Sequence, residues 1–396
     1  MKNIQQLTEP IYLFPLVADA VLLYHALVLN GYTVAGFCDS NSALHGQSYD
    51  GCPIVPKVSG ENETIIICGY KNYRLAYLFT KSICIEQVLV ADDVPAAMDK
   101  VQWNAFEQLA PKQQYRFRRL AQEIRQVLPP ENTGLCLHAL DIVLTERCNL
   151  KCKCCEVLVP HFNTKIKARH LPLAQLIRET DEMFDKFGFI RDIHVLGGEP
   201  FIYPQVAEYM QYLKQHRDKI GSLYVITNGT VVPKQSVIDA IKEADAFVMI
   251  SDYDELSRKK DEIVKAMQDN GVGVQITNYP WFYENQLVYD DAKNRQQKFD
   301  TCYERKHINT IRDGKAYYCH FLAGGETLMA IPYHKDNSIS IYDNDAQEIY
   351  AYLTSEIAPM GCEYCSGHDL SSPEIPKAEQ TPTSLPYRSF EDSYEK

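Results

Sequence analysis

In the first ninety residues, short continuous apolar runs alternate with longer amphipathic stretches. Residues 10–14, 32–38, 64–68 and 87–90 have the length and β-branched or aromatic content of strands. Between them, 19–30 and 73–80 repeat their apolar positions at helical spacing. Strand and helix in alternation predict a small parallel α/β domain over residues 1–100. A charged helical connector is expected over 101–136, passing through Pro129-Pro130. From 137 to 296 the alternation resumes on a larger scale. Strands are expected at 138–144, 192–196, 223–226, 247–250 and 272–276, and helices at 171–187, 206–213, 236–244 and 254–269. Repeated β/α units of this length build an open or closed barrel, which carries its chemistry at the carboxyl ends of its strands. A third, small α+β region follows over 297–368. There Asp313-Gly314, flanked by 308–311 and 316–318, reads as a β-hairpin. The last stretch, 369–396, is rich in Pro, Ser, Glu and Lys and predicts an extended or disordered tail.

Composition narrows the partners. The chain has 52 acidic against 40 basic residues, a formal net charge of −12. A phosphate-tracking nucleic-acid surface is therefore not expected. The most apolar window, 11–29, is interrupted by Pro15, Asp19 and His25, so no membrane span is expected either. The N-terminus lacks the layout of an export signal, which suggests a cytoplasmic protein. Thirteen cysteines in such a chain point to metal ligation rather than disulfides. Cys38, Cys52, Cys68, Cys84, Cys136 and Cys154 are expected to be mostly core residues.

The other seven cysteines form two sets. Cys148, Cys152 and Cys155 are spaced C-x3-C-x2-C at the end of the first barrel strand. Three thiolates can hold three irons of a [4Fe–4S] cube and leave the fourth open, whereas electron carriers usually close the cube with four cysteines. Downstream, Gly197-Gly198-Glu199-Pro200 lies between a strand and a helix, and Thr227, Asn228 and Ser251 fall at the next two strand ends. In the second set, Cys302 and Cys319 follow the pattern C-x11-G-x4-C, and Cys362 and Cys365 form a CxxC pair. The expected hairpin would bring Cys302 and Cys319 together. Zinc suits four thiolates equally well, and for the first set it would need a fourth ligand close by.

Together, the cysteine loop and the GGEP turn resemble those of the radical S-adenosylmethionine (SAM) enzymes. That resemblance implies a partial (β/α)6 barrel, a [4Fe–4S] cluster held by Cys148, Cys152 and Cys155, and SAM chelated to the open iron. SAM would also be met by Gly197, Gly198, Glu199, Pro200, Thr227, Asn228 and Ser251. The family cleaves SAM reductively to a 5'-deoxyadenosyl radical that abstracts hydrogen. Cys154 departs from the family pattern, which places an aromatic or bulky apolar residue before the third cysteine. The second set resembles the twitch extension, a truncated SPASM domain, which implies an auxiliary [4Fe–4S] cluster on Cys302, Cys319, Cys362 and Cys365.

The N-terminal region resembles Rossmann-like modules of sugar-modifying enzymes from surface-polysaccharide pathways, through Gly36-Phe-Cys-Asp-Ser-Asn41 and Gly51-Cys-Pro-Ile-Val55. Its glycine-rich phosphate turn is replaced by Phe14-Pro-Leu-Val-Ala-Asp-Ala20, so substrate handling or partner docking is expected rather than dinucleotide binding. Pro376-Lys-Ala-Glu-Gln380 resembles a closing motif of polysaccharide-cluster members of the family.

These resemblances imply an oxidoreductase-type enzyme that dehydrogenates, epimerises or deoxygenates a sugar, nucleotide-sugar or cyclitol. The auxiliary cluster would act as an electron relay, and flavodoxin or ferredoxin as the donor. His320, Arg305 and Lys306 are candidate general bases. Modification of a peptide precursor is the alternative within the family, although no winged-helix leader-binding module is evident. A non-catalytic, zinc-bearing binding protein is the alternative outside it.

Overall fold

The computed structural model describes residues 135–278, 281–288, 294–302, 304, 308–368 and 373–394, together with short stretches between residues 10 and 90. The chain folds as two compact units, Met1–Leu128 and Pro129–Lys396.

The first unit contains β1 (Ile11–Phe14), β2 (Val34–Cys38), β3 (Ser48–Tyr49), β4 (Cys52–Val55), β5 (Thr64–Ile67) and β6 (Val88–Val90). They form one sheet in the order β3-β4-β2-β1-β5-β6, parallel except for the short β3. The four expected strands are all present. The added pair β3–β4 includes the Pro-Ile-Val stretch that follows Cys52. Ile11, Leu13, Phe14, Cys38 and Ile65 fill its interior. Asp39, just beyond β2, is buried and accepts a hydrogen bond from the Leu16 amide at 2.9 Å. In dinucleotide-binding units these two places serve the ribose and the pyrophosphate. Here they satisfy each other. Of the helix expected at 19–30, Ala20, Tyr24, Leu27 and Val28 are helical. The helix expected at 73–80 and the connector up to residue 134 lie outside the described residues.

The second unit is built on an eight-stranded sheet. Its strands are β7 (Cys136–Thr145), β8 (Phe189–Gly197), β9 (Ile220–Thr227), β10 (Phe247–Ser251), β11 (Val274–Thr277), β13 (Thr310–Arg312), β14 (Lys315–Tyr317) and β15 (Ile339–Ser340), in the order β11-β10-β9-β8-β7-β13-β14-β15. β7 to β11 are parallel neighbours, each joined to the next through a helix. The helices are α1 (Leu173–Lys186), α2 (Val206–Gln215), α3 (Gln235–Glu243) and α4 (Lys260–Asp269). α4 starts six residues later than its pattern suggests, because Asp254–Leu256 forms a separate 3-10 turn entered at a left-handed Asp254 (φ 54°). The next strand, β12 (Trp281–Tyr283), leaves the sheet and pairs antiparallel with β16 (Glu374–Pro376) of the tail.

The core lies between sheet and helices. Ile142, Ile193, Val195, Val225, Val248 and Ile250 face Met183, Phe184, Leu213, Ile241, Ile263 and Met267. Burying each such side chain contributes about 1.5–3 kcal/mol. The expected hairpin is β13–β14, with Asp313 and Gly314 both at positive φ (49° and 76°), as a tight type I′ turn requires. β13 lies parallel beside β7, so the third region continues the barrel sheet rather than forming a separate layer. A buried ion pair, Glu146 with Arg312, pins this seam. Among the described residues three further helices follow: α5 (Arg295–Thr301), α6 (His320–Thr327) and α7 (Ala346–Leu353). The tail is extended but held: Tyr387 and Phe390 pack against the core around α6. Among the described residues, no helix is long and apolar enough to cross a membrane.

Candidate functional site

The site forms where β7, β8, β9 and β10 end. β7 carries a register irregularity between Val143 and Thr145, so its last residue pairs with Gly197 out of step. Such a bulge re-aims the chain that follows, and here that chain is the cysteine loop. Gly197 and Gly198 are needed by this loop itself. A Cβ at Gly197 would sit 2.4 Å from the Thr145 carbonyl oxygen, and one at Gly198 would sit 2.1 Å from the Arg147 oxygen and 2.9 Å from the Cys148 Cβ. The Gly198 amide donates to the Thr145 oxygen (2.7 Å) and the Glu199 amide to the Arg147 oxygen (3.0 Å).

Glu199 is fully buried. Its carboxylate accepts from Thr227 Oγ1 (2.8 Å), the Phe201 amide (3.1 Å) and the Asn228 amide (2.9 Å), and burial pushes its pKa up to about 7 despite these donors. Glu199 thus ties the ends of β8 and β9, and Pro200 starts the turn beyond it. Asn228 Nδ2 donates to Cys148 Sγ at 3.4 Å. Ser251 hydrogen-bonds the buried Tyr253, whose surroundings include Cys152 and Cys155.

Cys148, Cys152 and Cys155 lie in one another's electrostatic field. Burial pushes the Cys148 thiol up to about 12, with Glu199 and Cys152 adding to the rise. Cys155 is raised further by burial, then by Cys152 and Cys148. Three half-buried cysteines that oppose one another's ionisation fit a cationic iron cluster, which would hold all three as thiolates. Cys154 is set apart. Burial raises its thiol, while the Asn285 backbone, Glu284, Lys153 and Glu379 form its surroundings.

The tail closes this loop from outside. The Lys153 amide donates to the Glu379 oxygen (2.7 Å), the Thr381 amide to the Lys151 oxygen (2.9 Å), and the Lys151 amide to Gln380 Oε1 (2.8 Å). Gln380 Nε2 donates to Cys152 Sγ at 3.2 Å. Apart from its motif resemblance, nothing local marks Gln380, because its partner lies 228 residues away.

The other four cysteines also converge. Burial raises Cys319 well above the usual thiol range, and Cys302, Cys362 and Cys365 raise it further. Cys319 caps the start of α6, its sulfur accepting from the Leu322 amide at 3.4 Å, while Cys302 ends α5. Cys362 and Cys365 lie on a 3-10 turn, where the Gly367 amide donates to Cys365 Sγ (3.3 Å). Lys298 Nζ reaches the Cys365 oxygen at 2.9 Å. Four half-buried cysteines drawn from three segments fit a closed cluster.

Spacing separates iron–sulfur clusters from zinc. A tetrahedral zinc holds its sulfurs about 3.8 Å apart, given Zn–S bonds of about 2.3 Å. Among the described residues, the one group of three donors lying within 4.8 Å of one another is Glu156, Glu304 and His368. Neither cysteine set forms such a group.

His320 is buried, its Nε2 2.7 Å from Asp141 Oδ2, and His194 Nδ1 is 2.7 Å from Asp141 Oδ1. Burial would push the Asp141 pKa up, but the two imidazoles outweigh it and hold it at about 2. Burial works against a charged His320, yet Asp141 raises its pKa overall. Arg305 and Lys306 lie outside the described residues. Asp141, His194, Tyr253, Glu156, Glu304 and His368 have no motif spacing, and only the fold assembles them. Of the cysteines expected in the core, Cys38 and Cys52 are buried and Cys136 and Cys154 half-buried; Cys68 and Cys84 lie outside the described residues.

Comparison with known proteins agrees with this geometry. The sequence profile described as the radical SAM superfamily matches residues 142–272, from the middle of β7 to the strand before the tail-paired segment. The GTP 3',8-cyclase of Aquifex aeolicus is 32% identical over 108 residues, 27% of this chain and 32% of the cyclase. The antilisterial bacteriocin subtilosin biosynthesis protein AlbA of Bacillus subtilis is 31% identical over 101 residues, 26% of this chain and 20% of that protein. The match thus spans about a third and a fifth of these relatives' own lengths. The structure of BtrN in complex with AdoMet and 2-DOIA aligns with 63% of this chain and 98% of its own at 12% identity, with a TM-score of 0.39. Streptococcus suis SuiB bound to precursor peptide SuiA aligns with 61% of this chain and 70% of its own at 11% identity, with a TM-score of 0.31. The segment that matches the radical SAM superfamily carries both the cysteine loop and the GGEP turn.

Proposed function

We propose that this chain is a radical SAM enzyme that abstracts hydrogen from a sugar, nucleotide-linked sugar or cyclitol, leading to dehydrogenation, epimerisation or deoxygenation. The observation that carries the radical reading is the gathering of Cys148, Cys152 and Cys155 on one loop whose Arg147–Cys148 segment packs against Gly198 at the carboxyl ends of parallel strands. When bound, the cluster and SAM supply a one-electron cleavage that yields a 5'-deoxyadenosyl radical.

The chain's own residues bind, orient and shield. Gly197 and Gly198 let β8 meet the cysteine loop, and Glu199 fixes the strand ends beside it. Thr227, Asn228 and Ser251 occupy the neighbouring strand ends as contacts for the nucleotide. Tyr253, buried and stacked edge-on with Phe282 at 5.7 Å, keeps water from the loop. A dehydrogenation also needs an acceptor for a proton and one for an electron. His320, held by Asp141 through Nε2 with its buried Nδ1 unbonded, is the candidate for the proton. The four further cysteines suit an electron relay, and flavodoxin or ferredoxin suits the external donor.

Similarity to a GTP cyclase supports a nucleotide-bearing substrate, whereas similarity to a bacteriocin biosynthesis protein favours a second reading, a peptide substrate. The test is anoxic turnover with SAM, reductant and deuterated candidates. Deuterium appearing in 5'-deoxyadenosine from a nucleotide-sugar or cyclitol supports the first reading, and transfer from a peptide replaces it. No 5'-deoxyadenosine under any condition removes the radical reading altogether.

A further inference from the structure

Glu156, Glu304 and His368 come from three places far apart in sequence, each next to a cysteine: one residue after Cys155, two after Cys302 and three after Cys365. Each offers one donor atom, and the three donors lie within 4.8 Å of one another. His368 Nδ1 is 3.2 Å from Glu304 Oε1. Glu304 is only 4% exposed, and its other oxygen, Oε2, is buried with no hydrogen-bond donor among the described residues. A buried carboxylate oxygen left without a donor carries a desolvation cost of about 1–3 kcal/mol or more. The chain places a second carboxylate, Glu156, beside it. Two carboxylates this close, one of them buried, repel each other unless a proton or a cation joins them.

We propose that Glu156, Glu304 and His368 form a binding site for a single divalent cation, separate from both cysteine sets. Two carboxylate oxygens and one imidazole nitrogen suit Mn2+, Fe2+ or Zn2+. Three protein donors leave coordination positions free, as in metal sites that take water or a substrate oxygen. Glu156 keeps access to solvent, so the open positions lie on its side of the site. A metal here would neutralise the paired carboxylates and hold the cysteine loop, the segment after α5 and the segment after the 3-10 turn at one point. The site goes beyond the proposed reaction and stands whichever substrate is turned over.

The test uses the full chain with its iron–sulfur clusters reconstituted, oxidised and freed of loose metal by a weak chelator. Mn2+ is added, and free Mn2+ is read from its six-line electron paramagnetic resonance signal, to which oxidised [4Fe–4S] clusters do not contribute. One Mn2+ should bind per chain. Glu304→Gln and His368→Gln should each weaken it by at least about tenfold, with iron content and cluster absorbance unchanged. The site is overturned if wild type binds no stoichiometric Mn2+, or if both variants bind it as tightly as wild type.

Discussion

The two cysteine sets are built in opposite ways. Cys148, Cys152 and Cys155 sit on one loop of eight residues, and what positions them is backbone: a bulge at the end of β7, two glycines too close to the loop for any side chain, and a strap from the tail. Cys302, Cys319, Cys362 and Cys365 come from the end of α5, the start of α6 and a 3-10 turn, over more than sixty residues. A short loop backed by three strands keeps its shape without metal, and it supplies three donors rather than four. The segments of the second set also share a core of Phe299, Tyr318, Phe321 and Tyr364, and a metal bound by their four sulfurs would add to that hold. On the proposed reading the first set serves chemistry, and the second both chemistry and stability.

Variants of each set test this difference. Replacing Cys155 with Ala should reduce 5'-deoxyadenosine formation to the level seen without protein, while chromatography and circular dichroism stay as in wild type. Replacing Cys319 with Ser should instead destabilise the second unit by about 4 kcal/mol, a drop in melting temperature of about 8–16 °C. If both variants melted alike, the contrast would be lost.

The seam between the sets yields a smaller effect. Asp141 is held at about pKa 2, below its ordinary value of 3.8. A carboxylate depressed on folding stabilises fully above its unfolded value and loses that contribution as pH falls through its folded value. Asp141→Asn should therefore cost about 2 kcal/mol at pH 7 in chemical unfolding. The gap from wild type should close between about pH 4 and pH 2. A gap that widened on acidification would contradict the assignment. The smallest effect is expected at the strap. Gln380→Leu removes one N–H···S bond from Cys152, and such bonds favour the reduced, more negative cluster. Its midpoint should fall by up to about 60 mV, equivalent to about 1.4 kcal/mol for one electron. The midpoint of the other cluster should not move.

How much the chain discloses follows the same division. The parallel strands β7 to β10 were readable because each contains an apolar run and is followed by an amphipathic helix, and the Asp313-Gly314 turn because only a few residues tolerate two positive φ angles in succession. The loop cysteines are legible because their spacing is local. The role of Gly197 and Gly198 was legible only in part: the resemblance implies contact with SAM, whereas their nearest neighbour in the structure is the cysteine loop. The tail's extended path was legible but its anchoring was not, since a stretch poor in large aliphatics can still be held by backbone pairing with β12 and the loop, plus two aromatic anchors, Tyr387 and Phe390. Asp141, Glu304 and His368 were not readable at all. Each is an ordinary polar residue in sequence and gains meaning only from partners dozens to hundreds of positions away.

Electron–nuclear double resonance on the reduced protein with SAM labelled at its amino nitrogen and carboxylate oxygens tests the central claim most directly. Hyperfine coupling from the label should appear on one cluster only, persist in Cys319→Ser and vanish in Cys155→Ala. Coupling absent from wild type with both clusters loaded, or retained in Cys155→Ala, would contradict it.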